Sequence, residues 1–318
     1  MTITELKDKI LNGYWISRND DLSILKNCDL TELCSCADQI RKEFSGNKID
    51  LCSIINGKSG HCSENCKFCA QSAFNKTDCE EYDFLEDEKI VERAKQDAKE
   101  GVHRFSIVTS GKALGGEDFE KAVKVFKKLK AEVKIDLCAS FGFLNREQLL
   151  RLKEAGVTRY HHNIETSRRN FENICTSHTF DMKMQTIRTV KEIGMKICSG
   201  GIIGLGETFD DRIDMALSLA EAKVDSIPIN ALMPIKGTPF EKIPQLSEEE
   251  ILRTVAMFRF INPESAIRLA AGRKLLTASG EKAFIGGASA TITGNMLTTS
   301  GTTIKSDKEL FEKLGFEV

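Results

Sequence analysis

Three cysteines stand close together in residues 60–72, which read GHCSENCKFCAQS. Cys62, Cys66 and Cys69 have the spacing C-x3-C-x2-C and directly follow an apolar run. Thiolates on one tight loop can bind a single iron–sulfur cluster, and closed clusters usually take four protein thiolates. Three local thiolates would leave one iron free for a small molecule, as catalytic metal sites keep an open position.

Structural zinc is an alternative for these thiols. A zinc ion would need a fourth ligand, either His61 or a distant cysteine. Zinc motifs favour paired C-x2-C or C-x4-C units, and the sequence has no second pair. The spacing therefore favours the open iron–sulfur cluster, with zinc and three unligated thiols as the competing interpretations.

Composition restricts the class of protein. The 318 residues are 41% hydrophobic and 29% charged, which is ordinary for a globular protein. The net charge of -2 and the dispersed basic residues give no indication of a nucleic-acid or membrane-surface partner. The start of the chain is charged where a signal peptide would be apolar, and no apolar run approaches the roughly 20 residues of a membrane span. We expect a cytoplasmic protein.

Eleven cysteines are many for a chain of this length, and a reducing compartment argues against disulfides. Such a content is typical of a life with little oxygen. Cys28, Cys34 and Cys36 fall in a helical N-terminal region and are interpreted as small buried hydrophobes. Cys52 and Cys79 are interpreted as structural or incidental thiols.

An amphipathic helix, a turn and a short strand recur from residue 49 onward. Eight strands are predicted to begin near 49, 103, 134, 158, 195, 225, 265 and 283. The helices are predicted near 88–100, 117–130, 145–155, 181–193, 209–222, 247–260 and 273–279, with a last one near 306–314. The pattern predicts an α/β protein, a (β/α)8 TIM-type barrel with short N-terminal helices and a C-terminal tail. Residues 1–48 would be a helical extension, and residues 49–318 one barrel domain that includes the tail.

Active sites of such barrels lie at the C-terminal ends of the strands. His161, Asn163 and Glu165 are predicted to share one face of the fourth strand, since strand side chains repeat every two residues. Polar or sulfur side chains are also predicted at the ends of other strands: Ser106, Thr109, Cys138, Cys198, Asn230 and Arg268. Two thiols and an arginine would thus point into one cavity, although a barrel-core position is the alternative for both cysteines.

Six segments resemble blocks of the radical S-adenosylmethionine superfamily and, within it, of the biotin synthase family. They are GHCSENCKFCAQS, YHHNIETS, KICSGGIIGLGET, IPINALMPIKGTP, AIRLAAGR and GASATITGNMLTTSG, in the family's order. The likeness covers about residues 48–316. The three-cysteine spacing alone identifies only the superfamily, whereas the C-terminal glycine-rich block and NALMPIKGTP are narrower signals.

The resemblance implies that Cys62, Cys66 and Cys69 hold a 4Fe-4S cluster whose fourth iron binds S-adenosylmethionine. Residues implied to bind this cofactor are Phe68, Asn163, Glu165, Lys183 and Ile202. Asn163 and Asn230 would contact the substrate, dethiobiotin. Lys183 stands where the family is expected to have an arginine, and a lysine keeps the charge but loses the two-pronged hydrogen bond.

The family's sulfur donor is an auxiliary 2Fe-2S cluster held by three cysteines and an arginine. Cys138, Cys198 and Arg268 match three of these positions, but Ser106 occupies the fourth, and a hydroxyl is a poor substitute for a thiolate toward iron. We expect Cys175, on the loop after the fourth strand, to supply the third thiolate. This cluster would have an open iron and would be of a 4Fe type with an extra sulfide in place of the family's 2Fe-2S type, with Arg268 as a ligand or as a hydrogen-bond donor to cluster sulfur. The absence of any auxiliary cluster is the alternative. The alternative for Cys175 is an incidental loop thiol.

The resemblance also implies a homodimer and a flavodoxin or ferredoxin as electron donor. Three other functions remain open at this point. The chain could be a related radical enzyme of the hydrogenase-maturation type, or a non-catalytic metal-binding protein. It could also be a member of the family that cleaves S-adenosylmethionine without inserting sulfur, because of the serine at position 106.

Overall fold

A closed parallel barrel forms the body of the computed structural model, which describes residues 1–297 and 301–318. Its strands are β1 (Asp50–Lys58), β2 (Arg104–Thr109), β3 (Asp136–Ser140), β4 (Val157–His161), β5 (Lys196–Cys198), β6 (Gly201–Ile203), β7 (Ser226–Ala231), β8 (Ala266–Leu269) and β9 (Ala290–Thr293). The strand order is β5-β4-β3-β2-β1-β9-β8-β7-β6, and β5 also pairs with β7. Strands β5 and β6 therefore share one position, which gives eight positions and confirms the predicted (β/α)8 barrel.

The break between β5 and β6 depends on a glycine. Cys198 of β5 pairs with Ser226, and Gly201 of β6 pairs with Ile229, so both halves lie against β7. A Cβ atom on Gly200 would lie 2.0 Å from the backbone oxygen of Pro228. Only a residue without a side chain allows the two backbones to approach this closely.

Helices surround the barrel and precede it. They are α1 (Ile3–Leu11), α2 (Ser23–Asn27), α3 (Leu30–Ser45), α4 (Asp87–Lys99), α5 (Gly116–Glu132), α6 (Arg146–Glu154), α7 (Phe171–Ile174), α8 (Phe180–Glu192), α9 (Phe209–Glu221), α10 (Glu248–Ile261), α11 (Glu281–Phe284) and α12 (Ile304–Lys313). The helices predicted near 88–100, 117–130, 145–155, 181–193, 209–222, 247–260 and 306–314 are confirmed, and both ends of each lie within two residues of the predicted ends. Several of these ends could be predicted because capping residues mark them in the sequence. Thr208 with Asp211 and Ser247 with Glu250 form capping boxes at α9 and α10.

The end of the barrel differs from the prediction in two elements. The strand predicted near 283 is wrong, because Glu281–Phe284 is the short helix α11 and the last strand begins at Ala290. Gly286 and Gly287 separate the two elements, and the alternating Thr–Ile run that forms the strand comes after them. The helix predicted at 273–279 consists of two 3-10 turns, Arg273–Leu275 and Thr277–Gly280. Residues 298–300 of the block GASATITGNMLTTSG lie outside the described residues.

The N-terminal helices pack on the outside of the barrel. Helix α3 lies against α10, and Leu33 and Ile40 are fully buried there. Helix α10 is buried on nearly all sides from Ile251 onward because it is covered both by α3 and by the barrel. The division of the chain into residues 1–48 and 49–318 stays a prediction. Throughout residues 1–297 and 301–318, no helix combines the length and apolar character that crossing a membrane requires.

Every second residue of the strands points into the barrel. Residues that line the interior are Cys52, Ile54, Ser106, Val108, Cys138, Ser140, Arg159, His161, Cys198, Pro228, Asn230, Arg268 and Ile292. Their spacing follows the two-residue repeat of a strand. The interior is unusually polar for a barrel core, which is normally filled with branched apolar side chains.

Three arginines meet one carboxylate at the floor of the barrel. Asp50 Oδ2 lies 2.8 Å from Arg104 Nε, 3.3 Å from Arg268 Nη2 and 3.9 Å from Arg159 Nη1. Burial alone would raise the pKa of Asp50, but Arg268, Arg104 and Arg159 together lower it to about 2. The four side chains carry an excess of positive charge in a largely buried place.

The Asp50→Asn variant tests this floor in cluster-free protein under reducing conditions. Removing the only carboxylate that faces all three guanidinium groups should lower the free energy of unfolding by about 3 kcal/mol, because one-sided loss of a buried ion pair is strongly destabilising. Urea denaturation followed by circular dichroism measures the change.

Asp136→Asn is the matched control, since Asp136 also pairs with Arg104, at 2.7 Å, but its side chain is 51% exposed. Exposed ion pairs contribute less than about 1 kcal/mol, so this variant should remain close to the wild type. Equal effects of the two substitutions would contradict the assignment of Asp50 as the counter-ion of the floor.

Candidate active site

A cavity of about 400 Å³ opens at the C-terminal ends of the strands. It is lined by Ser106 and by eleven of the predicted site residues, namely Cys62, Cys66, Phe68, Cys69, Cys138, Asn163, Glu165, Cys198, Ile202, Asn230 and Arg268. Its volume lies in the range of small-molecule sites. Two predicted site residues, Cys175 and Lys183, are not part of its lining.

The three-cysteine loop follows β1 and is fixed by its own hydrogen bonds. The Cys62 backbone N–H donates to the Gln71 carbonyl at 3.0 Å, and the side-chain amide of Asn75 donates to the carbonyls of Cys66 and Cys69. All three thiols are partly buried and line the cavity. The loop therefore presents three sulfur ligands to one space without needing to refold.

The surroundings of Cys66 and Cys69 favour the protonated form of these two thiols when no metal is bound. Burial raises the pKa of Cys69 to about 11. A hydrogen bond with Cys175, together with burial, raises the pKa of Cys66 as well. Buried thiols of this kind lose their protons when a metal takes the proton's place.

His61 points away from the thiols. Its side chain is 76% exposed, and its Nε2 lies 3.0 Å from Glu81 Oε2. The backbone of His61 has a positive φ of 49°, which helps to turn the side chain outward. The arrangement does not support a zinc site that His61 completes.

Cys175 lies beside the three-cysteine loop, and the structure does not bring it to Cys138 and Cys198. Its Sγ is 3.7 Å from Cys66 Sγ and 3.4 Å from both Asn65 Oδ1 and His178 Nδ1. The hydrogen bond from Cys66 lowers the pKa of Cys175 to about 3, against the effect of burial and together with His178. The expectation that Cys175 is the third auxiliary ligand has no support from this position and stays a prediction.

Ligand atoms of Cys66, Cys175 and His178 lie within 4.8 Å of one another. His178 Nδ1 also lies 2.5 Å from Glu64 Oε2, which accepts a hydrogen bond from Ser177 Oγ at 2.7 Å. The histidine ring already has a carboxylate partner. The contacts of Glu64 with Ser177 and His178 hold the cysteine loop against the segment before α8.

Asn163 and Glu165 extend the line of β4 into the cavity, although the strand itself ends at His161. Asn163 accepts a hydrogen bond from the Gly200 N–H at 3.0 Å and donates to Glu165 Oε2 at 3.3 Å. Glu165 has a positive φ of 69°, which is rare for a residue with a side chain. A strained backbone at such a place is typical of functional sites.

Asn230 and Ile202 lie opposite each other on β7 and β6. The Asn230 side chain donates to the Gly201 carbonyl at 3.0 Å and accepts from the Ala271 N–H at 3.1 Å. Its amide is therefore held in one orientation between two backbones, with further hydrogen-bonding capacity toward the cavity.

Lys183 lies on α8, and its ammonium group is 5.1 Å from the centre of the Phe143 ring. The residue is buried, and its charge acts on the pKa of Cys66. This position is close to the cysteine loop but not on the wall of the cavity.

The strand thiols lie deeper in the barrel than the loop thiols. Cys138 and Cys198 are buried, and Arg268 lies across from them on β8. Burial alone would raise the pKa of Cys198, but His161 and Arg268 lower it to about 7. Arg268 donates to the carbonyls of Thr291 at 2.7 Å and Asp50 at 3.1 Å, which fix its guanidinium group.

The sequence analysis interpreted Cys52 as a structural or incidental thiol and gave no role to Asp50, Arg104 or Arg159. Cys52 lines the same cavity as Cys138 and Cys198. The signal was present in the two-residue repeat of the first predicted strand, which places residues 50, 52 and 54 on one face. The contacts of Asp50 with three other strands could not be read from the sequence.

Comparisons with known proteins identify the family to which these residues belong. Residues 58–219 match the Radical SAM superfamily, and residues 228–317 match the Biotin and Thiamin Synthesis associated domain. The chain is 57% identical to the biotin synthase of Alkaliphilus metalliredigens over 318 residues, which is 100% of both chains. It is 54% identical to that of Clostridium beijerinckii, over 99% of both chains. With the biotin synthase of Brachyspira hyodysenteriae it shares 48% over 100% of this chain and 95% of the relative.

Solved structures with the same fold are much more distant in sequence. Methylornithine synthase superposes with a TM-score of 0.81 at 21% identity, covering 98% of this chain and 96% of that one. The FeFe-hydrogenase maturase of Carboxydothermus hydrogenoformans gives a TM-score of 0.78 at 17% identity, covering 99% of this chain and 78% of the other. Such low identities support the fold alone. The full-length identity to the three relatives and the two matching domains are decisive for the family: the chain belongs to the biotin synthase family of the radical S-adenosylmethionine superfamily.

Proposed function

We propose that the protein is a radical S-adenosylmethionine enzyme that inserts sulfur into dethiobiotin to form biotin, with an auxiliary iron–sulfur cluster as sulfur source. The observation that carries this proposal is the identity of 48–57% to biotin synthases over essentially the whole chain. The cavity supports it, because the thiols, the amides and the arginine that the reaction requires all line one space.

Cys62, Cys66 and Cys69 would hold the 4Fe-4S cluster. The three thiols fit this group because they converge on one cavity wall and His61 is directed away from them. Three protein thiolates leave one iron for the cofactor. When bound and reduced, the cluster supplies the electron that cleaves S-adenosylmethionine to methionine and a deoxyadenosyl radical.

S-adenosylmethionine would lie between this loop and the ends of β4 and β6. Phe68 and Ile202 provide apolar surface for the adenine, and Asn163 and Glu165 provide hydrogen-bonding groups for the ribose. Lys183 would act on the cofactor carboxylate through its charge, because its ammonium group lies over Phe143 and not on the cavity wall.

Dethiobiotin would lie deeper, between the cofactor and the strand thiols. Asn230 is fixed by the Gly201 carbonyl and the Ala271 N–H, so its remaining capacity can orient a ureido ring. Asn163 lines the same cavity, and its side chain accepts a hydrogen bond from the N–H of Gly200, the residue before Gly201. The role of these side chains is to place the substrate C–H bonds and to exclude water, as protein groups do around a reactive cofactor.

The auxiliary cluster would lie against Cys138, Cys198 and Arg268. The floor of the barrel fits an anionic group, because Arg159 Nε and Arg268 Nη2 are buried without a hydrogen-bond partner among the described residues. Arg268 Nη2 approaches Asp50 at 3.3 Å but lacks the geometry of a hydrogen bond. Both a 2Fe-2S cluster and a 4Fe type with an extra sulfide are compatible with these groups.

The ligand set of the first cluster can be tested by a matched pair of variants in neighbouring positions. Cys62→Ala should lose most of the iron bound by the loop, whereas His61→Ala should keep it, because only the thiol lines the cavity. Iron and zinc content after anaerobic reconstitution measures both. Loss of metal in the His61 variant, or zinc in place of iron, would contradict the proposed cluster.

The reaction itself is tested by incubating the reduced protein with S-adenosylmethionine and dethiobiotin. We expect both 5′-deoxyadenosine and biotin, because cofactor cleavage and sulfur insertion occur in one cavity. Mass spectrometry of both products in the same sample is the measurement, with Cys62→Ala as the inactive control.

Other outcomes of that assay distinguish the competing functions. 5′-Deoxyadenosine without biotin would favour a related radical enzyme of the hydrogenase-maturation type or a member that no longer inserts sulfur. Absence of both products from protein with a full complement of iron would favour a non-catalytic metal-binding protein.

Cys175 is expected to tune the first cluster through its contact with Cys66. When Cys66 binds iron, Cys175 becomes the donor across the 3.7 Å separation of the two sulfurs. Hydrogen bonds to cluster ligands help to set the reduction potential. Cys175→Ala should therefore keep the 4Fe-4S cluster and shift its potential to a more negative value, measured by a redox titration followed by electron paramagnetic resonance.

Cys36→Ala is the control for this variant, since Cys36 is a buried thiol on α3 whose Sγ lies 3.9 Å from Thr4 Oγ1, away from the cavity. The reduction potential of the 4Fe-4S cluster in Cys36→Ala should equal that of the wild type. An unchanged potential in Cys175→Ala would refute a direct hydrogen bond to the liganded Cys66. The homodimer, the flavodoxin or ferredoxin donor and the cytoplasmic location stay predictions.

A further inference from the structure

Cys52 is a buried thiol that the proposed ligand sets do not use. It lies on β1, is 8% exposed, and lines the same cavity as Cys138 and Cys198. Its register partner on β2 is Arg104, so the next inward position on that strand is Ser106. The thiol therefore stands on the strand next to the serine that interrupts the family's set of three cysteines.

The position of Cys52 relative to the other strand thiols follows from the barrel register. Ser106 pairs with Cys138, and Arg104 pairs with both Cys52 and Asp136. Cys52 thus points inward one layer below Cys138, and Cys198 of β5 lines the same cavity.

The environment of Cys52 differs from that of an ordinary core cysteine. Its only described hydrogen-bond contact is with the carbonyl of the adjacent Ser53, at 3.6 Å. Arg159 and Arg268 line the same cavity as Cys52, and Arg268 donates a hydrogen bond to the carbonyl of Asp50, two residues before it, at 3.1 Å. A buried thiol that serves only packing is usually surrounded by apolar side chains.

The charges at the floor of the barrel give an independent argument for an anionic, thiolate-held group in this place. Arg104, Arg159 and Arg268 face the carboxylate of Asp50, and Arg104 also pairs with the half-exposed Asp136, which leaves one positive charge without a counter-charge among these five side chains. Arg159 Nε and Arg268 Nη2 are also buried without a hydrogen-bond partner among the described residues. Buried cations of this kind need an anionic partner. Thiolates that hold a sulfide-containing cluster are such a partner, and iron prefers soft sulfur ligands.

We propose that Cys52, Cys138 and Cys198 are the three thiolate ligands of the auxiliary cluster, with Arg268 beside it, and that Cys52 replaces the cysteine absent at position 106. The inference rests on the auxiliary cluster of the proposed function and assigns its third ligand. Cys175 is not required, because its sulfur is engaged with Cys66, Asn65 and His178 outside the cavity lining.

The test compares anaerobically reconstituted full-length variants by iron and sulfide content and by Mössbauer spectroscopy. Cys52→Ala and Cys52→Ser should both lose the iron and sulfide of the auxiliary cluster and fall to the content of Cys138→Ala. The first cluster should remain, and its electron paramagnetic resonance signal should still respond to S-adenosylmethionine, which also reports that the barrel is folded. Cys175→Ala and the buried-thiol control Cys36→Ala should keep the auxiliary spectrum of the wild type.

Two results overturn the inference in different ways. If either Cys52 variant retains the wild-type auxiliary spectrum, or if Cys175→Ala loses it while the Cys52 variants do not, the ligand assignment fails and the proposed function stands. If the wild-type protein binds no iron beyond that of the first cluster, it has no auxiliary cluster. Both the sulfur source of the proposed function and the ligand assignment made here are then wrong.

Discussion

The shortage of negative charge at the floor of the barrel is the constraint on which the interior depends. One carboxylate, Asp50, faces three guanidinium groups from three different strands. Attraction between opposite charges is strong in a buried place, but Asp50 and the half-exposed Asp136, which pairs with Arg104, carry two negative charges against three positive ones. A barrel core of branched apolar residues would avoid this cost. The chain instead keeps the cations, which give the cavity above them a positively charged floor.

The two groups of thiols differ in the structure that carries them. Cys62, Cys66 and Cys69 stand on a loop whose own hydrogen bonds hold it against the mouth of the barrel. The deeper thiols, such as Cys138 and Cys198, stand on paired strands. Sites on strands are positioned more rigidly than sites on loops. The structure thus combines three accessible thiols at the mouth of the barrel with deeper thiols that the strands hold rigidly.

Local signals in the sequence were sufficient to predict the barrel and the proximity of Cys62, Cys66 and Cys69. Helix caps and the two-residue repeat of the strands predict the elements, and three cysteines within eight residues predict their own proximity. Features that depend on contacts between distant parts of the chain could not be predicted. Cys175 meets Cys66 across more than a hundred residues, so its environment was not readable. The last strand was misplaced because Gly286 and Gly287 delay it until the Thr–Ile run at Ala290. Cys52 was readable from its strand face, but its neighbours were not.

The inward position of Cys52 also affects how related chains should be classified. Cys52 and Ser106 lie on adjacent strands, and their heights differ by two residues, or about 7 Å along the strand. Both positions face the same interior, so a cysteine at either one can present its thiol to the cavity without any change of fold. A survey that scores only position 106 would record that this chain has no thiol there. A survey that scores the ring of inward side chains around the barrel would count the thiol of Cys52 as well.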